Sequence, residues 1–154
     1  ITKARNLPLM VMVADCIPVL LFDEKVGLIS AIHAGRNSTF LEIVKKTAQI
    51  FIEKFSSNPE DIKAILGPSI QKCCYEVSDE LLKIVETSFG KEFIEGKNID
   101  LHGINKMLLE KLGIKKIEIN PAVYAADSFD MPKDSRVDIF EKISAEYLKK
   151  IRKK

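Results

Sequence analysis

The apolar residues of this chain fall into short runs near its N-terminus and into helical stripes further on. Two runs rich in Val, Leu and Ile, at 9–14 and 17–22, are separated only by the polar pair Asp15-Cys16, and a third run spans 26–33. Runs of this length and composition predict three β-strands. Because none of them alternates strictly between apolar and polar positions, we expect a sheet that is covered on both faces.

Helical spacing of apolar residues begins after the third strand. Thr39 and Glu42 have the spacing of a capping box and predict one long helix that ends near Phe55. Further predicted elements are a strand at 62–66, a helix at 79–88 capped by Ser78, a helix at 101–112 capped by Asp100, a strand at 114–119 and an amphipathic helix at 137–150. This mixture of strands and helices predicts an α/β or α+β class without an internal domain boundary.

The composition narrows the classes of function. The 154 residues suffice for one domain, and 46% hydrophobic with 30% charged residues is an ordinary balance for a folded protein. A net charge of +2 is too small to indicate nucleic-acid binding, and the basic run at 149–154 suits the solvated end of a helix. No apolar run approaches the roughly 20 residues of a membrane span. We therefore expect neither a nucleic acid nor a membrane as partner.

The cysteines indicate a reducing compartment. There are three, of which Cys73 and Cys74 are adjacent, so they form no disulfide framework. We expect a cytoplasmic protein on this basis. Adjacent cysteines are also poorly placed to ligate one metal ion together, and no Cys-x-x-Cys spacing accompanies them.

Cys16 and His33 are the leading candidates for chemistry. Cys16 precedes the second predicted strand and His33 ends the third. If these strands pair as an antiparallel hairpin through a turn at 23–25, both residues lie at the same end of the sheet. A thiolate and an imidazole there can ligate zinc with a further ligand, or they can act as a nucleophile and its base. Spacing alone leaves both options open, beside the simpler one of a buried cysteine and a hydrogen-bonded histidine.

Other polar residues give weaker signals. The loop at 67–70 can offer backbone amides to an anion, although it lacks the glycines and the Gly-Lys-Ser/Thr ending of a nucleotide-binding loop. Arg36 and Arg136 can hold a phosphate or a carboxylate, or they can be ordinary surface charges. His102 lies in the first turn of a predicted helix, and we expect it on the surface.

Three blocks of the chain together resemble the laccase-domain proteins. This family is also called YfiH or multicopper polyphenol oxidase-like, and in bacteria peptidoglycan editing factor. The blocks are 14–23 with 26–27 and 32–35, then 67–70 with 73–77, and finally 100–101 with Asn105 and Leu108. They occur in the family's order, and together they are more specific than any one of them alone.

The resemblance implies an α+β fold with layers in the order α/β/β/α and mixed sheets. It also implies a zinc-dependent purine nucleoside phosphorylase acting on adenosine, inosine, guanosine and methylthioadenosine, with adenosine deaminase side activity. The family's zinc is held by His, Cys and His, of which Cys16 and His33 match two. We expect the third ligand upstream of Ile1, in an N-terminal part that residues 1–154 lack. For substrate binding we expect a phosphate site near the ribose, formed by Arg36 and by the backbone amides of the loop that contains Ser69.

The chain departs from the family pattern in the handling of phosphate. The tryptophan expected after Gly35 is absent, so that Arg36 stands one place early. The family's later Cys-Thr pair is missing near Asn120, and its C-terminal arginine stretch survives at best as 128–129 with Arg136.

Two other functions remain open, and a third is weak. Cys16 and His33 can form a metal-free amide hydrolase that edits peptidoglycan precursors. Alternatively, the divergent C-terminal half can mark a domain that binds a ligand or partner without catalysis. Oxidation by copper is poorly supported, because multicopper sites need more than the two histidines present. The oligomeric state cannot be read from these residues.

Overall fold

A four-stranded mixed sheet organises residues 1–122, the part of the chain that the computed structural model describes. The strands are β1 (Ile17–Asp23), β2 (Leu28–Ala34), β3 (Ile62–Leu66), β4 (Ile94–Glu95), β5 (Asn98–Ile99) and β6 (Lys116–Ile119). The helices are α1 (Arg36–Phe40), α2 (Ile43–Phe55), α3 (Asp79–Ser88) and α4 (Leu101–Glu110), with one 3₁₀ turn at Lys91–Phe93. Within these residues no helix is both long and apolar enough to cross a bilayer.

The main sheet has the strand order β2-β1-β3-β6, and β4 pairs with β5 in a separate two-stranded sheet. β1 is antiparallel to both of its neighbours, whereas β3 and β6 run parallel. This arrangement confirms the predicted α+β class with a mixed sheet. The hairpin predicted from the turn at 23–25 is also confirmed, with Pro18 opposite His33.

One face of the sheet forms the core with the helices. Along β1 every second residue is buried, beginning with Ile17, Val19 and Leu21. α2 packs on β2 and on α4, and its fully buried Phe51 is among the largest side chains of the core. These buried positions follow the period of each element, so the core could be read from the sequence.

The opposite face of the sheet is only partly covered, which corrects the expectation of a sheet buried on both sides. Leu20 is 39% exposed and Ile29 is 38% exposed, and the intervening residues of β1 and β2 are partly buried at best. Apolar side chains occupy this face too, which hides the two-residue period in the sequence.

The strand predicted at 9–14 does not form, and this segment belongs to no strand of the described chain. Alternate side chains of this segment are open to solvent, with Met10 84% and Met12 78% exposed, whereas Leu9, Val11 and Val13 are half-buried. An apolar run becomes a strand only where a neighbouring backbone accepts and donates its hydrogen bonds. On the outer edge of β2, Ile29 exchanges two such bonds with Thr2, at 2.9 and 3.0 Å.

The single helix predicted from Thr39 is in fact two helices. Glu42 has a left-handed φ of 56° and separates α1 from α2, and its carboxylate pairs with Lys45 at 2.7 Å. Thr39 is buried within α1 and its Oγ1 accepts a hydrogen bond from Asn105 Nδ2 at 2.9 Å. Both members of the supposed capping box are thus bonded to other partners.

The remaining elements agree closely with the sequence. β3 and α3 have the predicted bounds. α4 and β6 are each two residues shorter than predicted, and Asp100 caps α4 by accepting from Gly103 N at 2.7 Å. Ser78 precedes α3 without a side-chain cap bond. The helix predicted at 137–150 lies outside the described residues.

Replacing Thr39 with valine should destabilise the protein by about 1–3 kcal/mol, since one buried N–H of Asn105 loses its acceptor. Urea unfolding measures this change. Thr87→Val is the matched control, because Thr87 is exposed on α3, and we expect it to change stability by less than about 0.5 kcal/mol. Equal effects of the two substitutions would show that the Thr39–Asn105 bond does not stabilise the fold.

Candidate functional site

Cys16 and His33 converge above Gly35. The register of β1 and β2, extended by one residue, sets Cys16 across from Gly35. A Cβ atom at Gly35 would lie 2.8 Å from Cys16 Sγ and 3.7 Å from His33 Nε2. Both side-chain atoms therefore border the same small space, which only glycine leaves open. The structure thus brings together the two residues that the hairpin was expected to join.

Ser38 stabilises the turn between His33 and α1. Its Oγ accepts a hydrogen bond from Gly35 N at 2.8 Å and donates to His33 O at 2.9 Å. One hydroxyl thus satisfies a donor and an acceptor of the backbone that carries the histidine and the glycine. This local bonding fixes the direction in which the chain leaves β2.

The loop at 67–70 is bound to the segment that carries Cys16. Ile70 N donates to Asp15 O at 2.9 Å and Gly67 N donates to Pro18 O at 2.8 Å. These bonds position the loop beside the cysteine. They also occupy the amides of Gly67 and Ile70, two of the three N–H groups in a loop that was expected to offer its amides to an anion. Pro68 has no N–H group.

Ser69 and His102 form a buried polar contact beneath this loop. The fully buried Ser69 Oγ lies 3.3 Å from His102 Nε2 and donates to Ile70 O at 3.1 Å. His102 Nε2 also lies 3.3 Å from Gly67 O. Substrate contact by Ser69 remains a prediction, and its hydroxyl points into the protein in this structure.

The expectation that His102 lies on the surface is wrong. The residue is 4% exposed. It stands three and seven residues before the buried Asn105 and Leu109 on α4, which places it on the inward face of that helix. The helical spacing contained this signal, but the polarity of histidine and its place in the first turn outweighed it.

Tyr75 joins the site and was missed by sequence reasoning. Burial is the main cause that raises the pKa of its hydroxyl, and a nearby Cys16 raises it further. The positive charge of the Arg36 guanidinium acts in the opposite direction and lowers this pKa. Tyr75 therefore lies beside Arg36 and near Cys16. Its position in the block at 73–77 was the only hint in the sequence.

The environment of Cys16 favours its neutral thiol. Partial burial raises the pKa of this group, and the charge of Asp15 raises it further. Reactive cysteines usually have a lowered pKa, caused by cations or helix N-termini. Cys16 is therefore not activated as a free nucleophile, although a bound cation can still displace its proton.

A second polar recess lies at the other end of the sheet. It is lined by Glu60, Asp61, Lys115 and Lys116, which precede β3 and begin β6. Its charges are compensated, since Lys115 pairs with Glu60 at 3.4 Å and Lys25 pairs with Asp61 at 2.8 Å. These ion pairs leave the carboxylates of Glu60 and Asp61 engaged with lysines in this recess.

Comparison with known proteins identifies the family. The model of the multi-copper polyphenol oxidoreductase laccase family matches residues 1–129. The chain belongs to this family. The resemblance drawn from the three sequence blocks is thereby confirmed.

Relatives within this laccase family carry a consistent name. A purine nucleoside phosphorylase of Bacteroides thetaiotaomicron is 33% identical over 130 residues, which cover 79% of this chain and 48% of that protein. One from Clostridium acetobutylicum is 40% identical over 116 residues, covering 75% of this chain and 47% of that protein. The chain thus spans about half the length of the curated relatives it matches.

Solved structures show the same fold. The hypothetical protein YfiH of Bacillus licheniformis aligns with a TM-score of 0.69 at 29% identity, covering 75% of this chain and 47% of that one. YlmD from Geobacillus stearothermophilus aligns with a TM-score of 0.67 at 23% identity, covering 75% and 46%. This likeness supports the arrangement of the laccase-family sheet described above.

The zinc that the family resemblance implies is matched in part. Cys16 Sγ and His33 Nε2 are donors of the kinds that zinc prefers, and both border the space above Gly35. Within residues 1–122 no cluster of three His, Cys, Asp or Glu side chains is placed to hold a metal ion. The two donors are of the right type and border the same space, and a site of three ligands would need a further ligand beside them.

His102 should make the stability of the protein fall in mild acid. Burial is the main cause that lowers its pKa below the ordinary 6.5, against smaller opposing effects of Gly67 and Asp100. As the pH falls below 6.5, His102 becomes protonated in the unfolded chain but stays largely neutral in the folded chain. Folding stability therefore decreases. Urea unfolding between about pH 7.5 and about pH 5.5 should show a steeper loss for the wild type than for His102→Gln. Parallel pH profiles of the two proteins would contradict this assignment.

Proposed function

We propose that this chain carries the zinc-binding part of a purine nucleoside phosphorylase active site. The expected substrates are phosphate with adenosine, inosine, guanosine or methylthioadenosine, and adenosine deamination is the expected side reaction. The observation that carries the proposal is the convergence of Cys16 Sγ and His33 Nε2 above Gly35, with Arg36 and Tyr75 alongside. The names of the relatives support the reaction class.

Cys16 and His33 would hold the zinc ion with a third ligand from outside the described residues. Bound zinc supplies a Lewis acid that can lower the pKa of a coordinated water toward about 7, which suits deamination. Because burial raises the pKa of Cys16, the thiol must give up its proton when metal binds. Metal uptake should therefore release protons and weaken as the pH falls.

Arg36 is the residue best suited to phosphate. It directly follows Gly35, its side chain is exposed, and its Nε donates to Asn37 Oδ1 at 3.3 Å. Guanidinium groups bind phosphate oxygens through two parallel hydrogen bonds. The neighbouring Tyr75 hydroxyl can orient this guanidinium and thereby hold a phosphate beside the zinc ligands.

In phosphorolysis a phosphate oxygen forms a bond to C1′ of the ribose while the bond from C1′ to the purine nitrogen breaks. The products are a ribose 1-phosphate and a purine, which takes up a proton. Arg36 would reduce the charge repulsion around the attacking dianion and fix its direction. A contribution of Ser69 would come through its backbone, since its hydroxyl is buried.

The two alternatives differ in what the site must do. An amide hydrolase needs Cys16 as a thiolate without metal, and the raised pKa of Cys16 argues against that state. A binding domain without catalysis would keep the residues but show no turnover. Zinc content and turnover of nucleosides with and without phosphate separate these outcomes from phosphorolysis.

Zinc content tests the metal assignment independently of turnover. Protein purified without added metal should contain zinc by elemental analysis. Cys16→Ala and His33→Ala should each lose most of it, because each removes one of the two zinc donors that this chain supplies. The double variant Cys73→Ser/Cys74→Ser is the matched control and should keep its zinc. Full zinc content in Cys16→Ala would refute the assignment.

Turnover is tested with a nucleoside panel in the presence and absence of phosphate. Purine release should require phosphate, whereas ammonia release from adenosine should not. Zinc-loaded protein that releases no purine from any nucleoside would favour the non-catalytic alternative. Release of an amine from a peptide substrate without metal would favour the hydrolase.

Arg36→Ala should raise KM for phosphate roughly 10- to 100-fold, the range expected when a charge-assisted hydrogen bond worth about 1.5–3 kcal/mol is lost. KM for the nucleoside should change little. Arg5→Ala, which removes another exposed arginine, is the control and should leave both constants unchanged. An unaltered phosphate KM in Arg36→Ala would exclude Arg36 as the phosphate ligand.

A further inference from the structure

The adjacent thiols of Cys73 and Cys74 form a close pair that the proposed phosphorolysis does not use. Both side chains are exposed, and their Sγ atoms lie 2.9 Å apart. The turn that carries them is closed by two hydrogen bonds to Gln71 O, from Cys74 N at 3.0 Å and from Tyr75 N at 3.1 Å. The backbone therefore already holds the two sulfur atoms on the same side.

We propose that Cys73 and Cys74 are a redox site, which forms a reversible vicinal disulfide by exchange with low-molecular-weight disulfides of the glutathione type. A disulfide bond needs a separation of about 2.0 Å, so the two sulfur atoms have roughly 0.9 Å to close from their 2.9 Å contact. Their exposure gives a small disulfide direct access, which the half-buried Cys16 does not offer to the same degree.

The geometry of adjacent residues makes such a bond easy to reverse. Neighbouring Cα atoms are about 3.8 Å apart across a trans peptide bond, closer than the roughly 4.4–6.8 Å of ordinary disulfides. Strained and exposed disulfides are more readily reduced than structural ones. The pair therefore responds to the thiol–disulfide balance of its surroundings and does not staple the fold.

The exchange has two steps. The thiolate of one residue attacks one sulfur of the small disulfide and releases one thiolate, leaving a mixed disulfide. The neighbouring thiol, which lies 2.9 Å away in the reduced pair, then loses its proton and attacks the protein sulfur of the mixed disulfide, which releases the second thiolate. Two electrons and two protons pass to the small disulfide, which becomes two thiols.

Mixtures of reduced and oxidised glutathione test the proposal on the intact chain. After acid quenching and alkylation, the peptide that contains Cys73 and Cys74 should lack two hydrogen atoms and carry neither alkyl groups nor glutathione. Raising the share of reduced glutathione should restore two alkylated cysteines. This readout is a peptide mass, so it is independent of whether the protein is a phosphorylase.

Single serine variants remove the resolving thiol. Cys74→Ser should retain glutathione on Cys73, and Cys73→Ser should retain it on Cys74, because in each variant the neighbouring thiol that would displace glutathione is missing. Oxidation of the wild type that ends as stable mixed disulfides on both residues would overturn the proposal, as would a disulfide that links either residue to Cys16.

Discussion

The backbone pairing of β1 with β2, in the register that sets Pro18 opposite His33, determines where the candidate site residues lie. A slip of one residue would exchange the two faces of β2, moving His33 into the core and the buried Ile32 and Ala34 out of it. The same register brings Cys16 to Gly35, where a side chain would collide with the thiol. Both proposed zinc ligands thus depend on one ladder of backbone hydrogen bonds and one missing side chain.

Polar groups then attach the neighbouring segments to this strand end. Gly67 and Ile70 bond to the backbone around β1, and His102 supports the same loop from α4. Buried polar groups are costly unless they are paired. The contact between Ser69 and His102 therefore holds the loop at 67–70 in place. This loop leads directly into the turn that carries Tyr75.

The sequence predicted the parts of this structure that depend on local periodicity. The hairpin followed from two apolar runs around a polar turn, and with it the proximity of Cys16 and His33. The prediction of a strand at 9–14 was wrong, because the hydrophobicity of a segment does not show whether a neighbouring strand is available to pair with it. Thr39 and Glu42 were misread because Asn105, which lies far along the chain, bonds to Thr39.

The rest of the site depends on tertiary contacts. No spacing reveals that Tyr75 comes near Arg36, whereas the helical spacing of α4 does place His102 on the same face as the buried Asn105 and Leu109. A site composed of an early hairpin and later loops is therefore predictable at the hairpin and obscure elsewhere. The family resemblance supplied the expected chemistry, whereas the geometry identified which side chains can take part.

Cobalt binding tests the central claim most directly, because a thiolate bound to Co²⁺ absorbs in the near ultraviolet through charge transfer. The Cys73→Ser/Cys74→Ser protein, freed of metal, should gain this band when Co²⁺ is added and should release a proton as Cys16 ionises. Adding Cys16→Ala should abolish the band, and adding His33→Ala should weaken Co²⁺ binding. A band that persists without Cys16, or that never appears in the double variant, would contradict the assignment of Cys16 and His33 as metal ligands.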